Sequence, residues 1–181
     1  MHNLFLTAPS GTGKSTIIKK ILCELNISIG GFQVERCINN EGNIYFDMIS
    51  VKDKENNNII GECTKNKNPI ANIYAFETKG VEILNTSLEN SDLIILDEIG
   101  FLEETAEEFK SSIRKVLDSN KIVLGVLKEL NSPFLNEIRN RTDISIVKVT
   151  LDNRNNIKNH ILDILENWIS SIKPKNEMIL W

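Results

Sequence analysis

The stretch APSGTGKST, residues 8–16, lies between an apolar run, NLFLT at 3–7, and an amphipathic run in which Ile17, Ile18, Ile21, Leu22 and Leu25 recur at helical spacing. That order predicts strand, loop, helix. Residues 8–15 fit the phosphate-loop template G-x-x-x-x-G-K-[ST], except that Ala8 stands where the first glycine is usual. Gly11 and Gly13 let the backbone come close to phosphate oxygens, and the free N–H groups of the following helix point at the anion. Lys14 is placed to reach the β- and γ-phosphates, and the Ser15 hydroxyl to bind the Mg2+ that bridges them. The expected nucleotide-binding set is therefore Ala8, Pro9, Ser10, Gly11, Thr12, Gly13, Lys14, Ser15 and Thr16. Ala8 lies at the edge of this loop, where a methyl group is tolerated. A bland reading, a flexible turn and a solvent-exposed lysine at a helix start, leaves the flanking strand and helix as coincidence.

Binding phosphate is not yet chemistry. A phosphate loop works with an acidic residue at the end of a neighbouring core strand, which holds magnesium through water. Residues 92–100, DLIILDEIG, supply it. The four apolar residues 93–96 suit a parallel strand covered on both faces. Asp97 follows as the expected magnesium partner, and Glu98 as the residue that orients or deprotonates a water aimed at the γ-phosphate. Glu103, Glu104, Glu107 and Glu108 read as the negative first turn of the next helix. Of these, Glu103 alone is retained as a candidate ligand.

Further from the loop, GFQVER (31–36) and IYFDMISV (44–51) read as a hairpin joined by the turn-forming INNEGN, and a short strand near 59–62 extends it to a meander. Helices are expected over 77–90 and 105–118, core strands over 121–127 and 144–149, a short helix within 132–141, and a closing helix marked by Ile157, Ile161, Leu165 and Trp168. Strands alternating with helices predict an α/β fold, a mostly parallel sheet covered on both faces with a small antiparallel insertion. One domain over residues 1–181 is expected from the length. The tail MILW (178–181) is expected to fold back onto the body or to meet a partner.

Composition narrows the function. A net charge of -4 argues against bulk nucleic-acid binding, which rests on many Lys and Arg releasing counterions. The three cysteines lack any CxxC pairing, and His2 and His160 stand apart, so neither a disulfide framework nor a metal cluster is indicated. No apolar run reaches the ~18 residues of a membrane span, and the opening MHNLFLTAPSG is too polar for a signal peptide. A cytoplasmic location is expected.

The combination resembles a known family. The early phosphate loop, Gly31-Phe32 entering a hairpin, DEIG at 97–100 and the late Thr150, Asn153 and Arg154 together look like the cancer-related nucleoside-triphosphatase family, in order over nearly the whole chain. That resemblance implies a P-loop α/β fold and slow hydrolysis of ATP, GTP and other nucleoside triphosphates. It implies Lys14 and Ser15 on phosphate and magnesium, Asp97 on magnesium and Glu98 on the water. By fold-level analogy it also puts Asn153 and Arg154 near the base. Three positions depart from the family pattern. Phe101 and Leu102 replace the usual Lys-Met after DEIG, so any role of that lysine is missing. The hairpin reads Val34-Glu35-Arg36 where the family has Thr-x-Glu-Val-Arg, and Ala8 replaces a glycine.

Two other functions stay open on the residues alone. One is a kinase that passes the γ-phosphate to a small molecule or a nucleic-acid end; the other is a nucleotide-dependent switch whose protein partner is unknown. Arg36, Arg139, Arg141 and Arg154 are equal candidates for a transition-state arginine.

Overall fold

The computed structural model describes residues 2–63 and 68–172. Along the chain run β1 (His2–Thr7), α1 (Lys14–Leu22), β2 (Ile29–Ile38), β3 (Ile44–Ser50), β4 (Asn57–Cys63) and β5 (Ile70–Ala71). A continuous helical stretch follows: α2 (Ile73–Ala75), a π-helical turn (Phe76–Gly80) and α3 (Val81–Asn90). Then come β6 (Leu93–Ile99), α4 (Glu107–Asp118), β7 (Ile122–Leu127), α5 (Pro133–Arg139), β8 (Ile144–Lys148) and α6 (Ile157–Ile172).

Among the described residues all the strands join one eight-stranded sheet, in the order β5-β4-β3-β2-β6-β7-β1-β8. From β2 to β8 every pairing is parallel, and from β2 to β5 every pairing is antiparallel. The meander is thus a continuation of the main sheet beyond β2 rather than a separate layer. Its first turn is set by Asn39, whose Oδ1 accepts from the backbone N–H groups of Glu41 (3.0 Å) and Asn43 (2.9 Å).

The period-two alternation of the central strands divides the core in two. Phe5, Ile94, Leu96, Val123 and Leu127 face one side, against Leu84 of α3, Phe109 and Ile113 of α4, and Phe134 and Leu135 of α5. Leu4, Leu6, Leu93, Ile95, Leu124 and Val126 face the other, against Ile17, Ile18 and Ile21 of α1 and Ile161 and Leu165 of α6. Both faces are covered, which is why these strands read as unbroken apolar runs. Where β2 meets β6, Gly31 has φ +94°, and a Cβ there would lie 2.0 Å from the Ile95 carbonyl oxygen. That crossing therefore admits glycine alone.

Several boundaries differ from the sequence reading. The segment 144–149 is not an inner strand: β8 pairs with β1 alone and lies at the sheet edge, with Ile146 41% exposed, while Val149 just beyond it is buried. The helix expected from 77 begins at Ile73 and passes through a π turn, and α4 begins at Glu107 rather than 105. The MILW tail lies outside the described residues.

Candidate active site

Gly11 (φ 78°) and Gly13 (φ 99°) take left-handed backbone angles, and Gly13 caps the start of α1, so the loop turns directly into a helix N-terminus. The Ala8 methyl points inward and is 3% exposed, packed in the layer that holds Ile17 and Ile18. This explains how alanine fits at a position that usually carries glycine. Lys14 is buried and folded back over the loop: its Nζ donates to the carbonyls of Ala8 (2.8 Å) and Pro9 (3.1 Å). The Thr12 hydroxyl donates to the same Pro9 carbonyl at 2.6 Å. Pro9, Ser10, Gly11, Ser15 and Thr16 are solvent-exposed.

Strand order decides what faces this loop. β7 separates β1, which leads into the loop, from β6, which ends in Asp97 and Glu98. The Ser15 hydroxyl donates to Asp97 Oδ1 at 3.2 Å, across that gap. Asp97 is 2% exposed, and burial pushes its carboxyl up to about 6 despite the Ser15 hydrogen bond. Its second oxygen, Oδ2, is buried with no hydrogen-bond partner. Gln33, in register with Asp97 on β2, likewise leaves its Nε2 buried and unpartnered. An orphaned acceptor and an orphaned donor on neighbouring strands are what a hydrated cation would satisfy. One carboxylate and one hydroxyl, completed by water and phosphate oxygens, is an oxygen donor set that suits Mg2+. Among the described residues there is no group of three or more His, Cys, Asp or Glu side chains arranged to hold a metal.

The pairing of β6 with β7 loses register between Leu96 and Ile99. Strict alternation of Asp97 and Glu98 is therefore relaxed at this point. Glu98 is half-buried and pairs with Lys128 Nζ at 2.8 Å. Lys128 follows β7 directly, and its ammonium lies 5.2 Å from the centre of the Phe101 ring. Glu103 is 3% exposed; it accepts from the Gly100 N–H at 2.5 Å, and burial pushes its carboxyl to about 7. Glu104, Glu107 and Glu108 do not gather with it. The Lys110 ammonium bonds the Glu104 carbonyl (2.6 Å) and the Glu107 carboxylate (2.8 Å), and Glu108 N–H donates to Glu77.

Asn153 and Arg154 separate. The Asn153 side chain accepts from Thr150 N–H (2.8 Å) and donates to the Lys148 carbonyl (2.9 Å), which shapes the loop after β8. Arg154 lines an open groove of about 540 Å³ with Thr12, Thr16, Lys20 and Lys158. Of the other arginines, Arg141 is held by Asp118 (2.7 Å) and Asp143 (2.8 Å), Arg139 by the Lys128 carbonyl and Asn136, and Arg36 is exposed on β2.

Gln33 and Lys128 were invisible to the sequence reading. A period-two pattern marks Gln33 as a strand residue and nothing more. Lys128 had one usable signal, a charged residue directly after a fully buried strand, in the same relation to β7 as Asp97 is to the apolar run of β6.

The sequence profile of the NTPase family matches residues 3–162. The chain belongs to this family. The nucleoside-triphosphatase THEP1 of Thermotoga maritima is 34% identical over 169 residues, covering 90% of this chain and 95% of the relative. The human cancer-related nucleoside-triphosphatase is 27% identical over 176 residues, covering 86% and 92%. The crystal structure of THEP1 from Aquifex aeolicus superposes with a TM-score of 0.73 at 27% identity, over 92% of this chain and 99% of that one. This NTPase thus has the P-loop α/β fold and is an enzyme of the nucleoside-triphosphatase class. Among the described residues, no helix is long and apolar enough to cross a membrane.

Proposed function

We propose that the chain hydrolyses the terminal phosphate of magnesium-bound nucleoside triphosphates, giving the diphosphate and inorganic phosphate. The observation that carries this reading is the Ser15–Asp97 hydrogen bond, which ties the phosphate loop to the strand end that presents Glu98. When bound, Mg2+ would neutralise charge between the β- and γ-phosphates, held by Ser15 and Asp97. Lys14 exchanges the Ala8 and Pro9 carbonyls for phosphate oxygens. Glu98 accepts a proton from water as the water oxygen bonds to the γ-phosphorus. The bond from that phosphorus to the β–γ bridging oxygen breaks, and the diphosphate leaves.

The nucleoside end supports a broad choice of base. In this reading the nucleoside lies in the open groove beside Thr12 and Thr16, lined by Arg154, Lys20 and Lys158, and charge of this kind recognises phosphate and ribose rather than one base edge. Slow turnover and a cytoplasmic location complete the reading.

The test is phosphate release from ATP, GTP and CTP with magnesium and no acceptor. Release from all three is expected, with none from Lys14→Ala. Glu98→Gln should retain nucleotide binding and lose roughly 10²–10⁴ in rate. Wild-type turnover in Glu98→Gln would remove Glu98 from the mechanism, and binding without release would favour transfer to an acceptor.

A further inference from the structure

We propose that Lys128 supplies the positive charge at the hydrolytic end of the site: it holds the Glu98 carboxylate in place and partners the charge that develops on the terminal phosphate. This rests on the reading of Glu98 given above.

Topology puts Lys128 where such a charge is needed. β7 runs between the strand that feeds the phosphate loop and the strand that ends in Asp97 and Glu98. Leu6 pairs with Val126 on one side and Ile99 with Leu127 on the other. The next residue is Lys128, so it leaves the sheet level with Ala8 and beside Glu98. Its ammonium carries three donors, so one can stay on Glu98 while another faces a bound γ-phosphate.

The position is built rather than incidental. The backbone of Lys128 is fixed at both ends: its N–H donates to the Ile99 carbonyl at 3.0 Å, and its carbonyl accepts from Arg139, which Asn136 holds in turn. Its stem lies against Gly100, where a Cβ would come within 3.0 Å of Lys128 Cδ. The ammonium is seated over Phe101 and on Glu98, and the lysine side chain is 23% exposed. A surface ion pair is worth little because both partners lose freedom to form it. Here the backbone, the glycine and the ring have already restricted one partner.

Elimination points the same way. Arg141 is occupied by two aspartates and Arg139 by the Lys128 carbonyl. Arg154 lines the groove on the Thr12 and Thr16 side of the loop. Arg36 is exposed on β2, three residues beyond Gln33, the residue in register with Asp97. Among the described residues, Lys128 is the cation that pairs with the proposed base. No bond to Lys128 forms and its proton stays on Nζ. It works by placement and by electrostatic stabilisation, whose loss at comparable sites costs ~10²–10³ in rate.

The experiment compares kcat and nucleotide Kd for wild type, Lys128→Met, Lys128→Arg, Glu98→Gln and the Glu98→Gln/Lys128→Met double variant, using magnesium-ATP. Lys128→Met is expected to lower kcat by about 100-fold with Kd changed less than about threefold. Lys128→Arg should recover at least about a tenth of the wild-type rate. The double variant should fall below Glu98→Gln by a smaller factor than Lys128→Met costs the wild type, because one of the lysine's two roles acts through Glu98. Lys128→Met within threefold of wild type in kcat would overturn the proposal. So would equal losses in the Arg and Met variants together with fully multiplicative loss in the double variant, the pattern of a merely structural lysine. Wild-type turnover in Glu98→Gln alone would instead refute the reading of Glu98, leaving the Lys128→Met arm to judge the lysine. Should Lys128→Met fail to fold, Phe101→Leu removes the ring beneath the ammonium and is expected to lower kcat by several-fold; an unchanged kcat there would count against the seat.

Discussion

Glu103 shows how one buried side chain writes itself into the behaviour of the folded state. Burial raises its carboxyl from an ordinary 4.5 to about 7. Between those values the folded protein holds a proton that the unfolded chain has released, so the folded state binds more protons and stability falls as pH rises. The stabilisation is fully present below about 4.5 and is lost through about 7, a difference corresponding to roughly 3 kcal/mol. Glu103→Gln keeps an acceptor for the Gly100 N–H and removes the titration. Its melting temperature is expected to exceed that of the wild type by several degrees at pH 8 and to approach it at pH 5. Parallel melting curves at both pH values would show that Glu103 is not desolvated as described. The same residue was retained in the sequence reading as a candidate ligand. Its hydrogen bond to the Gly100 N–H also braces the turn that presents Glu98 and Phe101.

At the scale of elements, local chemistry and tertiary context divide the work. Ser132 caps α5 by accepting from the Leu135 N–H at 3.3 Å, with Pro133 following at the first helical position. Ser132→Ala is expected to cost about 1 kcal/mol, read as a lower urea midpoint at unchanged slope. Features of this kind were legible because they are local. The phosphate loop, the buried runs of β6 and β7, the Asn- and Gly-containing turn of the hairpin and the start of α5 all follow from adjacent residues. What was not legible is set at a distance. ISIVK reads alike at the centre and at the edge of a sheet, and only the strand order makes β8 an edge. The two-residue β5 is too short to carry a period. The pairing of Glu98 with Lys128 joins side chains from different strands, and no spacing along the chain encodes it. By contrast, the phosphate loop itself states what kind of residue must face it, so Ser15 and Asp97 were both expected around one magnesium; their direct hydrogen bond was not read from the sequence.

For the whole molecule, ligand binding and folding are one equilibrium. A non-hydrolysable triphosphate with magnesium at about 100 times its Kd should add about 2.7 kcal/mol to stability. Removing the metal with a chelator should cancel most of that gain, and Asp97→Asn should make the nucleotide effect insensitive to the chelator. A melting temperature that rises equally with and without magnesium would exclude Asp97 from metal binding. The sheet order has a further consequence, for synthesis in the cell. Leu4 pairs with Leu124 and Phe5 with Ile146, so β1 has no partner strand until the segments carrying those residues have left the ribosome. At ordinary translation speeds that interval is on the order of ten seconds. Throughout it the apolar run before the phosphate loop stays without its sheet neighbours, open to chaperones and to premature association. The nucleotide cradle is translated early and assembled late.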